Sequence, residues 1–185
     1  MTRATGAEAP WSAGRRLTML VALASGGLLS TATTIGITPF LLDIARDFHT
    51  DLAAAGNLVA LQSVTWGIAS LFAGAASDRL GRRPLLVAGL LTLCVAGIGV
   101  AASSSYAPVL AWRVFGGLGG GTFMGTVFAT VSDYFPAAER GRSLGWVVTG
   151  QSLALVLGVP ALTLVGSVAG WRGAVVVHAL TVLVC

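Results

Sequence analysis

Six residues, Asp78 to Arg83, hold one aspartate and three arginines inside the stretch GAASDRLGRRPLL, and the runs on either side of it are uncharged. A carboxylate among guanidinium groups makes charge-assisted, often bidentate hydrogen bonds. Such a knot can tie helix ends together or hold a loop. A second polar stretch, DYFPAAERGR, brings Asp133, Glu139, Arg140 and Arg142 together with the same pairing chemistry. Arg113 is different: it stands alone in an apolar run, and an ionisable group there reads as a candidate for binding substrate or moving protons. Snorkelling toward water is its bland alternative. His178 is also alone among apolar residues and reads more readily as a packing residue than as a proton carrier. Cys94 and Cys185 show neither metal-ligand spacing nor a redox pair and read as small packing residues. No nucleophile–base pair, metal cluster or phosphate loop is visible. The nucleotide motif Gly-x4-Gly-Lys-Ser/Thr cannot occur, because the chain has no Lys. The reading is therefore not an enzyme, with no cofactor and no metal.

The elements that position these residues follow from composition. Of the 185 residues, 55% are hydrophobic and 10% charged, and the mean hydropathy is +0.86. Soluble domains carry about 25% charge, and a chain this small could not hide so much apolar surface from water. Lipid is the implied solvent. The high pI does not imply nucleic acid as a partner, because the eleven arginines lie in gaps between apolar runs, not along an exposed face. The runs are apolar on all sides, which favours helices over the alternating strands of a barrel. About 20 apolar residues cross a bilayer. The expected spans are about 17–42, 52–77, 84–102, 109–132 and 143–168, with a sixth, 173–185, incomplete. SSSYAP, residues 103–108, supplies the turn between the third and fourth. Residues 1–14 read as a disordered cytoplasmic tail, and 15–185 as one transmembrane bundle. Arg15 and Arg16 before an apolar run could start a signal peptide, but the run continues to Leu42, too long for one.

Arginines set the orientation. Arg3, Arg15, Arg16, Arg79, Arg82, Arg83, Arg140 and Arg142 fall on one side of the expected spans, and only Arg46 and Arg172 on the other. The N-terminus is expected in the cytoplasm and the protein in the cell inner (plasma) membrane as a multi-pass chain.

With the spans in place, GAASDRLGRRP resembles the signature loop between the second and third helices of the major facilitator superfamily. Gly74, Asp78, Arg79, Gly81, Arg82 and Arg83 have that spacing. Locally, Gly74 would let its helix approach a neighbour closely, Gly81 would make the turn, and Pro84 would start the next helix. The resemblance implies more: a cytoplasmic gate, in which the aspartate closes against the other half of the transporter. RVFGGLGGG resembles the family's fourth-helix motif and makes Arg113 the coupling or substrate candidate. Gly117, Gly121 and Gly125 recur every four residues and form one smooth face for packing. GQSLALVLGVP resembles the antiporter motif of the fifth helix, through Gly150, Ala154, Gly158 and Pro160. It departs where Ala154 replaces a common Gly and where Val159 separates Gly158 from Pro160. With GWR at 170–172, it is closest to the bacterial drug and sugar efflux permeases of the drug:proton antiporter branch. DYFPAAERGR, two helices after the first knot, resembles the matching cytoplasmic loop between the family's fourth and fifth helices.

The expected fold is thus an all-α polytopic membrane protein, the N-terminal six-helix bundle of a major facilitator fold with its sixth helix truncated. The expected function is secondary active transport, proton-coupled efflux of a small molecule (drug, sugar or metabolite) by alternating access. The partners would be that substrate, protons, the lipid bilayer and a missing C-terminal six-helix half. The alternative is a non-transporting membrane protein: a sensor, a scaffold or the remnant of a broken transporter gene.

Overall fold

The computed structural model describes residues 13–184. The expected tail at 1–14 lies almost wholly outside them, as does Cys185. The described chain is helical throughout: α1 Ala13–Ile35, a 3-10 turn Thr38–Phe40, α2 Leu41–Asp47, α3 Leu52–Leu80, α4 Arg82–Ala102, α5 Tyr106–Tyr134, α6 Ala137–Leu153, a π-helical turn Ala154–Gly158, and α7 Val159–Val184. Many large apolar side chains point outward, among them Leu71, Phe72, Leu164 and Val168. In water this surface would drive aggregation; in lipid it is ordinary.

The long apolar run after Arg16 is not one unbroken helix to Leu42. α1 stops at Ile35 because the chain meets Gly36 and then Pro39, which lacks an N–H, clashes with the preceding turn and disfavours helix at Thr38. The apolar residues beyond, Ile37, Phe40 and Ile44, turn back into the bundle and pack with Leu58, Val100, Val109 and Trp171. Asp51 then caps α3, accepting from the Ala54 N–H at 2.6 Å.

α5 is the central helix and packs most heavily on α3 and α4. Its glycines allow this. A Cβ on Gly117, Gly121 or Gly125 would lie 2.6, 2.2 or 2.5 Å from the backbone carbonyl oxygens of Gln62, Trp66 or Ser70, so α3 sits directly against that face. Gly119 and Gly89 play the same part between α5 and α4. Gly74 does not: nothing lies within 4 Å of a Cβ built there. The close approach expected of it is carried instead by the α5 glycines against Gln62, Trp66 and Ser70 of α3.

Two glycines break helices where only glycine fits. Gly81 (φ +94°) separates α3 from α4, and Gly170 (φ +70°) interrupts α7. Before Gly170 the chain climbs beside α1, with Gly150 against Ala24, Gly158 against Ala32 and Gly166 against Phe40. After it, Ala179 and Val182 run back along Leu93 and Cys94 of α4.

Candidate functional site

At one end of the bundle the helices carry most of the arginines. Here Arg82, the first residue of α4, reaches two carboxylates. It pairs with Asp78 on α3 at 2.5 Å, and its Nε donates to Asp133 Oδ2 on α5 at 2.9 Å. Nη1 donates to the Gly74 carbonyl at 3.1 Å and to Ser77 Oγ. One guanidinium thus fastens the ends of three helices. Its side chain is only 15% exposed, against 63% and 51% for the two aspartates, so the arginine is the held member and the acids form the solvent side. Gly81 makes this possible by turning the chain so that α4 begins beside the end of α3. Arg16 of α1 and Glu139 of α6 add a looser pair at 3.3 Å, and Arg140 Nε donates to the Phe135 carbonyl. The first knot and the second polar stretch are therefore one cluster, joined by Arg82–Asp133. Arg79, Arg83 and Arg142 are exposed and stand outside these pairs.

Arg113 lies toward the far end, buried at 4% exposure. It is not snorkelling. Nε donates to the Leu58 carbonyl of α3 at 3.1 Å, Nη1 to the Thr33 carbonyl at 3.0 Å and Nη2 to the Thr34 carbonyl at 2.9 Å. Thr33 and Thr34 are in the last turn of α1, whose carbonyls have no partner within their own helix. From the sequence it was a candidate for binding substrate or moving protons. Instead, Arg113 closes the C-terminal turn of α1 from another helix, and its positive charge suits that end of the helix dipole. Arg172 does the same for α4, with Nη1 donating to the carbonyls of Ala101 (2.9 Å) and Ser103 (2.7 Å). Its neighbour Trp171 donates to Asp47 Oδ2 at 2.7 Å. The sequence reading named GWR without its job; an Arg just after a helix-breaking glycine was the available signal.

Beside Arg113 lies a cavity of about 30 Å3, lined among others by Thr33, Gln62, Arg113, Trp112 and His178. Gln62 is fully buried on α3; its Nε2 donates to Thr34 Oγ1 at 3.1 Å, and its Oε1 accepts from no donor among the described residues. His178 of α7, 9% exposed, places Nε2 2.8 Å from Thr33 Oγ1. Four helices thus converge on Thr33 and Thr34, a grouping that sequence separation hid.

In the helix-five stretch, Gly150 lets α6 touch the backbone of α1, where a Cβ would meet the Ala24 carbonyl oxygen at 2.3 Å. Ala154 is fully buried, and Gly158 sits near Ala32. Pro160 supplies no N–H to the turn before it. The ladder there widens: the Val159 N–H reaches Ala154 O, five residues back.

The family model described as Major Facilitator Superfamily matches residues 23–185. The chain is 29% identical over 156 residues to an uncharacterized MFS-type transporter, YwfA, of Bacillus subtilis (strain 168), covering 84% of this chain and 38% of that one. It is 37% identical over 157 residues to a chloramphenicol resistance protein of Pseudomonas aeruginosa, covering 76% of this chain and 37% of that one. Among solved structures it resembles the proton:xylose symporter XylE, with a TM-score of 0.83 at 18% identity, over 94% of this chain and 44% of that one. The chain therefore spans less than half the length of each.

Proposed function

The chain belongs to the major facilitator superfamily, and on that premise we propose that it forms one half of a secondary transporter that exports a small molecule in exchange for protons. The observation that carries this reading is the Asp78–Arg82–Asp133 cluster. It ties three helix ends at the arginine-rich end of the bundle, and its two half-exposed carboxylates are free to change partners. A latch needs such a geometry: bonds that hold in one state and exchange in another, so that removing them shifts a two-state equilibrium. The widened turn before Pro160 supports the antiport part of the reading, since it gives α6 a place to bend against α1. The chloramphenicol resistance protein among its relatives favours export over import. On this reading the arginine-rich end faces the cytoplasm of a cell inner membrane. Gly74, with open space beside it, faces the second half. Cysteine labelling from outside intact cells tests the orientation: reaction at position 83 with none at position 51 would overturn it.

Function is tested in everted vesicles carrying the transporter that contains this chain. Uptake of labelled chloramphenicol and other small molecules should rise with an imposed proton gradient and collapse with a protonophore. Asp78→Asn should lower that flux at matched protein abundance. Flux indifferent to the gradient removes proton coupling, and full flux in Asp78→Asn removes the latch.

A further inference from the structure

At the arginine-rich end, α1, α4 and α5 leave between them a hollow of about 360 Å3. Arg15 and Arg16 of α1 and Arg82 and Arg83 of α4 line it. Chain order puts them at its outer end, since α1 and α4 both run inward from here. Met19, Ala22 and Leu86 follow about a turn or two deeper. Further along α4, Val87 and Leu91 remain exposed. The hollow is therefore basic where a bilayer has its headgroups and apolar where it has its chains.

The cations here outnumber the acids that meet them. Among the described residues, seven arginines stand at this end against Asp78, Asp133 and Glu139, a surplus of four, while the rest of the described chain is neutral. All three acids are engaged, Asp78 and Asp133 with Arg82 and Glu139 with Arg16. Arg83 is exposed and stands outside these pairs. Arg16 gives Nη1 to Glu139 at 3.3 Å, but its Nε is buried and has no acceptor among the described residues. A buried charged donor left without an acceptor is costly. The start of α4 adds to this. Its first turn holds two arginines and no acid, although the positive end of a helix dipole favours an anion.

We propose that this hollow binds the headgroup of one anionic phospholipid. Arg16 and Arg83 supply donors to its phosphodiester oxygens, the acceptor that a guanidinium fork fits best. One acyl chain lies over Met19, Ala22 and Leu86 and continues past Val87 and Leu91. A basic pocket between membrane helices suits such a headgroup. The apolar depth of the hollow selects lipid over a soluble phosphate, which would leave that part uncovered. The arginines of this end then hold a ligand as well as setting the orientation. This inference concerns lipid alone and does not depend on what the protein transports.

The test counts bound lipids by native mass spectrometry on the 185-residue chain in mild detergent, titrated with phosphatidylglycerol or with phosphatidylcholine of the same acyl chains. One phosphatidylglycerol should bind about tenfold more tightly than phosphatidylcholine. Arg83→Gln should remove most of that preference. Arg142→Gln takes the same charge from the same end but outside the hollow, and should leave the preference nearly intact. Equal losses would show diffuse attraction to a basic surface and overturn the site. Ala22→Trp fills the hollow without touching a charge, and Ala22 is exposed, so the variant has room to fold. It should lose the bound lipid; an unchanged preference overturns the location. Excess glycerol phosphate should not displace the lipid, and full displacement would make this a soluble-anion site instead. The same single lipid should bind in the transporter that contains this chain. Its absence there would show that protein covers the hollow, and would overturn the proposal.

Discussion

Arg113 and Gly121 show how differently two residues of one motif act. Arg113 was marked by the sequence as the lone charge inside a span, and its burial follows from the same fact. Its partners were not legible, because the carbonyls of Leu58, Thr33 and Thr34 belong to the backbone and have no signature in residue types. The capping role makes a specific prediction. Arg113→Lys keeps the charge but cannot span three acceptors with one ammonium. At least one carbonyl loses its donor, at about 1–3 kcal/mol. The variant should unfold earlier in mixed micelles and show faster amide exchange in the last turn of α1. Unchanged stability would mean that the caps carry nothing and that any transport defect is about coupling. Gly121 is a packing residue. Gly121→Ala forces a Cβ to 2.2 Å from the Trp66 carbonyl oxygen, which cannot move without its helix. Overpacking of this kind costs about 1–3 kcal/mol. Gly74→Ala, with nothing within 4 Å, should leave the stability of the isolated bundle unchanged, and equal losses at the two positions would contradict this packing.

Among the elements, the helices themselves were legible from uncharged runs, because lipid leaves a backbone few other choices. The break between α4 and α5 sits in the SSSYAP stretch, and α3 and α5 run a few residues past the apolar runs into the polar clusters. α1 ends at Ile35, while apolarity continues to Leu42 and Pro39 interrupts the helix. Hydropathy cannot separate residues that face lipid from residues, such as Phe40 and Ile44, that turn inward. The widened turn at Ala154–Gly158 was foreshadowed by Pro160 but not by any periodicity. Pro160→Ala restores an N–H and removes the ring clash, so an ordinary i-to-i−4 ladder can form. Distances between spin labels at positions 145 and 166, on either side of the turn, should then narrow in distribution and the bundle should gain stability. If α6 must bend in transport, flux should fall although the fold is firmer. A distribution as broad as before would show that the proline does not set the turn.

For the whole molecule, the question is whether this bundle can move a solute by itself. The cavity beside Arg113 measures about 30 Å3, enough for water and far below the 300–1,000 Å3 or so of a small-molecule site. One of several wider hollows, about 410 Å3 and lined by Leu17, Leu20, Leu28, Trp146 and Leu153, is an open groove on the flank between α1 and α6. A groove binds by one wall and cannot be closed at either end without a second. Alternating access in proteins of this kind comes from rocking one bundle against another around a shared site, and this chain spans 38% of the first relative's length. We therefore expect that residues 1–185, purified into proteoliposomes with an imposed proton gradient, carry no flux of labelled chloramphenicol or sugars above empty liposomes. Supplying a C-terminal bundle as a separate chain should restore it, because the groove would then gain its opposite wall. Gradient-driven flux by the chain alone would show that two copies can face each other across that groove, and would overturn the half-transporter reading.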